Sequence, residues 1–146
     1  MTRARGRRAR SAARRAPHAA AALAASVVAL ALAPAPARAD LEDDYLLQCA
    51  GCHGADGAGV PGKVPSLRGL GALLERPGGR EYLVRVPGVA QAALPDERLA
   101  ALLGFVLERF AGARPAPPYG ADEVGRLRAL PLRDPERARA EIVARP

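Results

Sequence analysis

The clearest pattern of apolar and polar positions lies between residues 95 and 110, in the stretch PDERLAALLGFVLERF. Its apolar residues recur at i, i+3, i+4, i+7, i+8 and i+11, which is the spacing of one helix face. They are Leu99, Leu102, Leu103, Val106, Leu107 and Phe110. Pro95 with acids directly after it is typical of a helix start, and Gly112 of a helix end. The pattern predicts an amphipathic helix over residues 95–110.

A second helix is predicted over residues 40–52, DLEDDYLLQCAGC. Acidic residues come first, where the helix dipole favours negative charge. Leu41, Tyr45, Cys49 and Cys52 follow at i, i+4, i+8 and i+11 and share one face. This helix therefore leads directly into the only two cysteines of the chain.

The remaining sequence indicates short helices joined by loops. Glycine and proline dominate residues 54–67, GADGAGVPGKVPSL, and PGVAQAA, residues 87–93, is predicted as another loop. Further short helices are predicted at residues 67–76, 79–86, 121–130 and 134–144. No stretch alternates as a strand would. We expect an all-α domain with long loops.

The first 39 residues have the three parts of a secretory signal peptide. An arginine-rich start is followed by an apolar run at residues 18–33, and the small residues Ala37 and Ala39 precede Asp40. The alternative is a membrane anchor, but the run is short for a span and consists mostly of alanine. We expect cleavage after Ala39, export to the periplasm or an equivalent compartment, and no membrane attachment afterwards.

Export changes the meaning of the charge. The chain has a net charge of +7, with 22 basic and 15 acidic residues. Eight basic residues and no acid precede Asp40, so 14 basic and 15 acidic residues remain, a net charge of −1. The argument for a nucleic-acid partner therefore disappears. The part after the signal is one small domain with no tryptophan and only five aromatic residues, so its own core is thin.

The stretch CAGCH, residues 49–53, carries the candidate chemistry. A thioredoxin-like redox pair would need a strand–helix–strand setting, which is not predicted here. A structural zinc site usually takes four Cys or His ligands, and only Cys49, Cys52 and His53 are present after the signal. A plain disulfide would leave the adjacent histidine to chance. Covalent haem attachment, for which Cys-x-x-Cys-His is the signature, uses all three residues.

The spacing suits that chemistry. On one helical turn, residues three apart point the same way, so both sulfurs can reach two vinyl groups at one porphyrin edge. His53 follows directly and can present its imidazole to the iron. We therefore predict one covalent haem c, with Cys49 and Cys52 as attachment points and His53 as an axial iron ligand.

From these motifs, residues 40–110 resemble the small single-haem class I c-type cytochromes. The resemblance implies first and last helices that cross around one haem, with Tyr45, Phe105 and Phe110 as candidates for the crossing contact. It also implies that the carbonyl of Pro65, twelve residues after the histidine, bonds the second imidazole nitrogen and that Leu67 packs on the haem. Residues 111–146 lie outside the resemblance and are predicted to form a helical C-terminal extension, either wrapping the domain or serving as a docking surface for a redox partner.

The chain departs from this family at the sixth iron ligand. The family uses a methionine in the loop before the last helix, but the one methionine here is Met1. Its absence predicts a lower reduction potential or an open iron face. Weak candidates for the position are Gln91 in that loop, Lys63 and Tyr82. The other options are water, no ligand or a residue from a partner chain, and a vacant or weakly held site is favoured.

Three functions follow from these expectations. The first is an electron carrier that accepts single electrons from a periplasmic dehydrogenase and delivers them to an acceptor protein; it is not itself an enzyme, though it could be a subunit of an oxidoreductase complex. The second is a gas-binding or sensing protein with an open sixth site. The third, a peroxidase-like catalyst, is disfavoured because such chemistry usually needs a distal acid–base residue.

Overall fold

The computed structural model describes residues 37–145, and the predicted signal peptide lies almost entirely outside them. The described chain forms eight α-helices and one 3₁₀ turn, Leu67–Gly69. The helices are α1 Arg38–Gln48, α2 Ala50–His53, α3 Leu70–Leu74, α4 Gly79–Arg85, α5 Pro87–Ala90, α6 Asp96–Ala111, α7 Ala121–Arg128 and α8 Pro135–Ala144. Within this range there is no strand, only an isolated bridge between Val60 and Val64. The predicted all-α class is confirmed.

Helix α6 is the centre of the core. The predicted stripe is buried from Leu99 to Leu107, and Ala100 and Phe105, which lie outside the stripe, are buried too. This wide burial arises because α1, α3, the 3₁₀ turn and α7 all pack on α6. A fully buried leucine contributes about 1.5–3 kcal/mol, so α6 supplies much of the apolar stabilisation. The helix ends at Gly112, which has a φ of +61°, as its sequence indicates.

Helices α1 and α6 make the predicted crossing contact. The rings of Tyr45 and Phe110 lie 4.7 Å apart between centroids, and Phe105 is buried beneath the guanidinium of Arg38. The acids of α1 also pair with arginines of α6. Arg98 binds the Asp44 carboxylate and donates to the Asp40 carbonyl at 3.0 Å. These acids therefore hold two helices together, beyond the favourable dipole interaction that the sequence indicated.

The C-terminal extension packs against the same core. Tyr119, Val124 and Ile142 are buried among the core side chains, and α7 lies directly on α6. Arg80 of α4 donates two hydrogen bonds to the Glu123 carboxylate of the extension, at 2.6 and 2.7 Å. Its guanidinium also lies 4.1 Å from the centre of the Tyr119 ring. The boundary at residue 110 stays a prediction, since side chains on both sides of it share one core.

Besides the 3₁₀ turn at Leu67–Gly69 and helix ends that differ by one or two residues, the secondary structure differs from the sequence prediction in two places. The first helix begins at Arg38 and is interrupted at Cys49, where a new turn, α2, starts. Residues 87–90, predicted as loop, form the short helix α5 with Pro87 in its first turn. Proline fits there because a first-turn residue needs no amide donor, so the proline that suggested a loop instead begins a helix.

Stability in acid is expected to depend on Glu123. The bond from Arg80 lowers the pKa of this carboxyl below its ordinary value of 4.5. A lowered folded-state pKa gives stabilisation that is complete above the ordinary value and is lost as the pH falls through the folded value. Because the pair is only partly shielded from water, we expect about 1 kcal/mol. Urea unfolding of wild type and Glu123→Gln from neutral pH to below 4.5 measures it.

The advantage of wild type over Glu123→Gln should vanish at the acid end. The neighbouring exposed acid gives the matched control, since Asp122→Asn removes the same charge from the same helix turn. Effects of acid on the rest of the protein are common to all three forms. A constant difference between wild type and Glu123→Gln across the range would contradict the prediction.

Candidate haem-attachment site

The two cysteines lie where α1 ends. Cys49 caps α1, and the amides of Cys52 and His53 both donate to its carbonyl, at 3.2 and 3.0 Å. The two thiols and the imidazole therefore belong to one tight turn. Both thiols are free, Cys49 half-buried and Cys52 exposed. Burial, aided by Asp44 and Cys52, raises the pKa of Cys49 to about 11, so this thiol is protonated near neutral pH.

The orientation of His53 is fixed by a backbone carbonyl. Its Nδ1 lies 3.0 Å from the carbonyl oxygen of Pro65. A carbonyl can only accept, so Nδ1 carries the proton and donates it, and Nε2 keeps its lone pair. An imidazole held this way presents one nitrogen ready to ligate a metal and has its basicity raised through the other. The structure thus brings together His53 and Pro65 as the resemblance implied.

Two glycines let the loop after His53 return to it. Gly59 has a φ of +71°, and a Cβ there would lie 2.8 Å from the Pro65 carbonyl oxygen. Its amide donates to the His53 carbonyl at 2.8 Å. Gly57 has a φ of +69°, and a Cβ there would lie 2.6 Å from the Phe110 ring. The glycines therefore allow the loop to turn back so that the Pro65 carbonyl reaches the His53 imidazole.

Tyr45 has a second role that the sequence did not indicate. Besides packing on Phe110, its hydroxyl donates to the carbonyl of Gly54 at 2.5 Å, immediately after His53. Burial raises the pKa of this phenol, so it remains a donor. The only sequence signal was an aromatic residue four positions before the first cysteine. Leu67, predicted to pack on the haem, is buried in the core, and its amide donates to Gly57 at 2.9 Å.

The three candidates for a sixth ligand lie in different places. Lys63 is exposed in the turn between Val60 and Val64, two residues before Pro65. Tyr82 is buried and lines a pocket with Ile142 of α8. Gln91 is exposed and ends α5, in the loop before α6. Of the three, only Gln91 lies in the segment from which the family's methionine comes.

The residues present fit a covalent haem. Two free thiols three positions apart and an imidazole with a free Nε2 share one turn. Among residues 37–145, three of the five large apolar side chains left exposed lie in the segment 46–60 that contains this turn, namely Leu46, Leu47 and Val60. A porphyrin is apolar enough to cover such a surface. Across residues 37–145, no three His, Cys, Asp or Glu side chains cluster in a way that could hold a bare metal ion.

Known proteins agree with this chemistry. The family model described as Cytochrome c matches residues 42–96. One cytochrome c-552 from Thermus thermophilus is 36% identical over 127 residues, covering 72% of this chain and 84% of the relative. A second cytochrome c-552 from the same species is 36% identical over 116 residues, covering 64% of this chain and 88% of the relative. This chain belongs to the cytochrome c family.

Membership in this family establishes haem c as the cofactor and electron transfer as the general function. The chain is a haem c electron-transfer protein with covalently bound haem and iron, its Cys-x-x-Cys-His motif is consistent with that attachment, and proteins of this family pass electrons to redox partners. Members of the family are typically exported proteins. In the part of the chain that the structure describes, no helix is both long and apolar enough to cross a bilayer.

Proposed function

We propose that this cytochrome is an exported, periplasmic carrier that accepts single electrons from a dehydrogenase and delivers them to an acceptor protein, with Cys49 and Cys52 joined to the haem and His53 as iron ligand. The observation that carries the proposal is the 3.0 Å contact between His53 Nδ1 and the Pro65 carbonyl. A ligand held in one orientation does not need to rearrange when the iron changes charge. The haem supplies that reversible one-electron change.

The protein around the motif supports the same role. The His53 amide donates to the Cys49 carbonyl, and the carbonyls of His53 and Gly54 accept from Gly59 and Tyr45, so the backbone before and after the imidazole is bonded. Leu67 adds an apolar contact beside Pro65. We propose that these residues keep the histidine still. A one-electron carrier must act between two other proteins. We propose a periplasmic dehydrogenase as the donor because an exported carrier needs a donor that it can meet in the same compartment.

A second candidate function is gas binding at an open sixth site. The chain has no methionine after Met1. Neither Lys63, which lies in the loop that also contains Pro65, nor Tyr82, which is buried against α8, lies in the loop before α6 that supplies the family's sixth ligand. We propose that water or no ligand occupies the sixth site, with Gln91 as the remaining side-chain candidate.

Two measurements on the mature holoprotein test this proposal. The reduced protein, mixed with an oxidised small c-type cytochrome in a stopped-flow instrument, should transfer one electron per chain at about 10⁵ M⁻¹ s⁻¹ or faster, as expected for productive protein encounters. A rate a hundredfold lower would contradict a carrier. Addition of CO to the reduced protein should shift its absorption spectrum within the mixing time.

The CO result decides the sixth site. A spectrum that CO leaves unchanged would contradict an open sixth site. In that case, the variant among Gln91→Ala, Lys63→Ala and Tyr82→Phe whose spectrum CO does change would identify the sixth ligand. Rapid CO binding together with slow electron transfer would favour the gas-binding function over the carrier.

A further inference from the structure

Arg128, in α7 of the C-terminal extension, is bonded to the loop before α6. Its Nε donates to the Ala90 carbonyl at 3.0 Å, and its two terminal nitrogens donate to the carbonyls of Ala92 at 2.5 Å and Leu94 at 2.8 Å. A further bond reaches the Asp96 carboxylate at 3.1 Å. Four of the five N–H groups of this side chain are thus used, and three of them hold the 90–94 segment.

The 90–94 segment needs such a partner. Ala90 and Ala92 are buried between α5 and α6, and the Ala92 carbonyl also accepts the Leu94 amide at 2.9 Å, so Arg128 adds a second donor there and is the donor to the Ala90 and Leu94 carbonyls. Buried carbonyls are nearly always paired in folded proteins. A single planar guanidinium can serve three of them at once because its donors point in different directions.

Helix α7 is packed closely enough to deliver this side chain. Gly125 lies one turn before Arg128, and a Cβ at Gly125 would come within 2.6 Å of an Asp96 carboxylate oxygen. A second attachment follows along the extension. Arg85 donates to the Leu130 carbonyl at 2.7 Å, and the Leu132 amide donates to the Arg85 carbonyl at 2.8 Å. The extension is therefore bonded to the chain at two places, at the end of α4 and in the 90–94 segment before α6.

The 90–94 segment also contacts the end of α1, directly before the first cysteine. The Ala93 amide donates to the side-chain oxygen of Gln48 at 3.4 Å, and Gln48 directly precedes Cys49. The segment also contains Gln91, the one candidate ligand in the loop before α6. A change that lets residues 90–94 move therefore also loosens the protein surface next to the turn that carries Cys49, Cys52 and His53.

We propose that Arg128 is a positioning residue for the haem site: it fixes the 90–94 segment beside the end of α1 that precedes Cys49, so that the C-terminal extension controls access of small ligands to the haem iron. The proposal rests on the haem of the family and on these contacts. It is independent of the proposed donor, acceptor and compartment, and it holds whether the sixth site is open or weakly occupied.

The test compares holoprotein variants with two readouts. We expect Arg128→Ala to raise the association rate of cyanide with the oxidised haem at least tenfold, and to raise amide hydrogen exchange of residues 92–94 by a similar factor. Arg128→Lys keeps the charge but cannot reach three carbonyls, so its rates should fall between those of wild type and Arg128→Ala, at least threefold above wild type. Amides in the middle of α6 should exchange as in wild type.

Arg126→Ala is the matched control. Arg126 is exposed on the same helix, so its removal takes away the same charge without touching the 90–94 segment. Cyanide rates and exchange in Arg128→Ala that equal those of Arg126→Ala would overturn the proposal. If Arg128→Ala does not accumulate as holoprotein, Arg128→Lys decides, and a cyanide rate within threefold of wild type overturns it.

Discussion

Replacement of both Cys49 and Cys52 by alanine is expected to abolish covalent haem attachment. The two free thiols are the only cysteines in the chain, and they lie on the turn that also carries His53. Without a thiol no thioether can form, and a single remaining ligand holds haem only by coordination. Each single variant keeps one attachment point. The double variant should therefore lose haem on denaturation, while the single variants retain one bond.

Denaturing gel electrophoresis with haem staining, after expression with haem maturation, measures this result. Ala50→Ser, inside the motif but leaving both thiols in place, is the matched control and should stain as wild type does. Haem that stays with the denatured double variant would show that attachment uses another residue. Haem absent from the wild type as well would show that the chain is not matured as its family is.

Gly59→Ala is expected to be the most destabilising single substitution near the site. At a φ of +71° an alanine is strained, and its Cβ would lie 2.8 Å from the Pro65 carbonyl oxygen and closer still to that of Val64. These are backbone atoms, so the loop itself must move. Strain of about 1–3 kcal/mol and overpacking of about 1–3 kcal/mol together suggest a loss of about 2–6 kcal/mol.

The same displacement should change the haem. Pro65 moves away from His53 Nδ1, so the imidazole loses the bond that raises its basicity. A less basic ligand stabilises oxidised iron less, and the reduction potential should rise. Urea unfolding and a potentiometric titration of the holoprotein measure the two effects together.

Gly62→Ala separates the clash from the backbone strain. Gly62 has a φ of +73°, but a Cβ there would meet no atom within 4 Å. It should cost only about 1–2 kcal/mol from the left-handed conformation and leave the potential unchanged. If Gly59→Ala is no worse than Gly62→Ala and has the wild-type potential, the close approach of Gly59 to Pro65 is not what holds His53.

The sequence by itself determined the features that depend on neighbouring residues. Cys49, Cys52 and His53 lie within five positions, so one turn suffices to bring them together. The stripe from Leu99 to Phe110 needs only the helical period, and Gly112 needs only the left-handed conformation at a helix end. Pro65 came from the family resemblance, which carries information about a loop that the residues alone do not.

Only the tertiary structure decided the contacts made across the chain. Arg128 meets the carbonyls of residues 90–94 from more than 30 positions away, and Arg98 meets Asp44 from 54 positions away. The arginines of this chain look alike in the sequence, because long-range ion pairs and bonds to carbonyls leave no periodic pattern. Which arginine finds which partner depends on how α7 and α1 pack on α6, and that packing follows from the whole set of buried side chains.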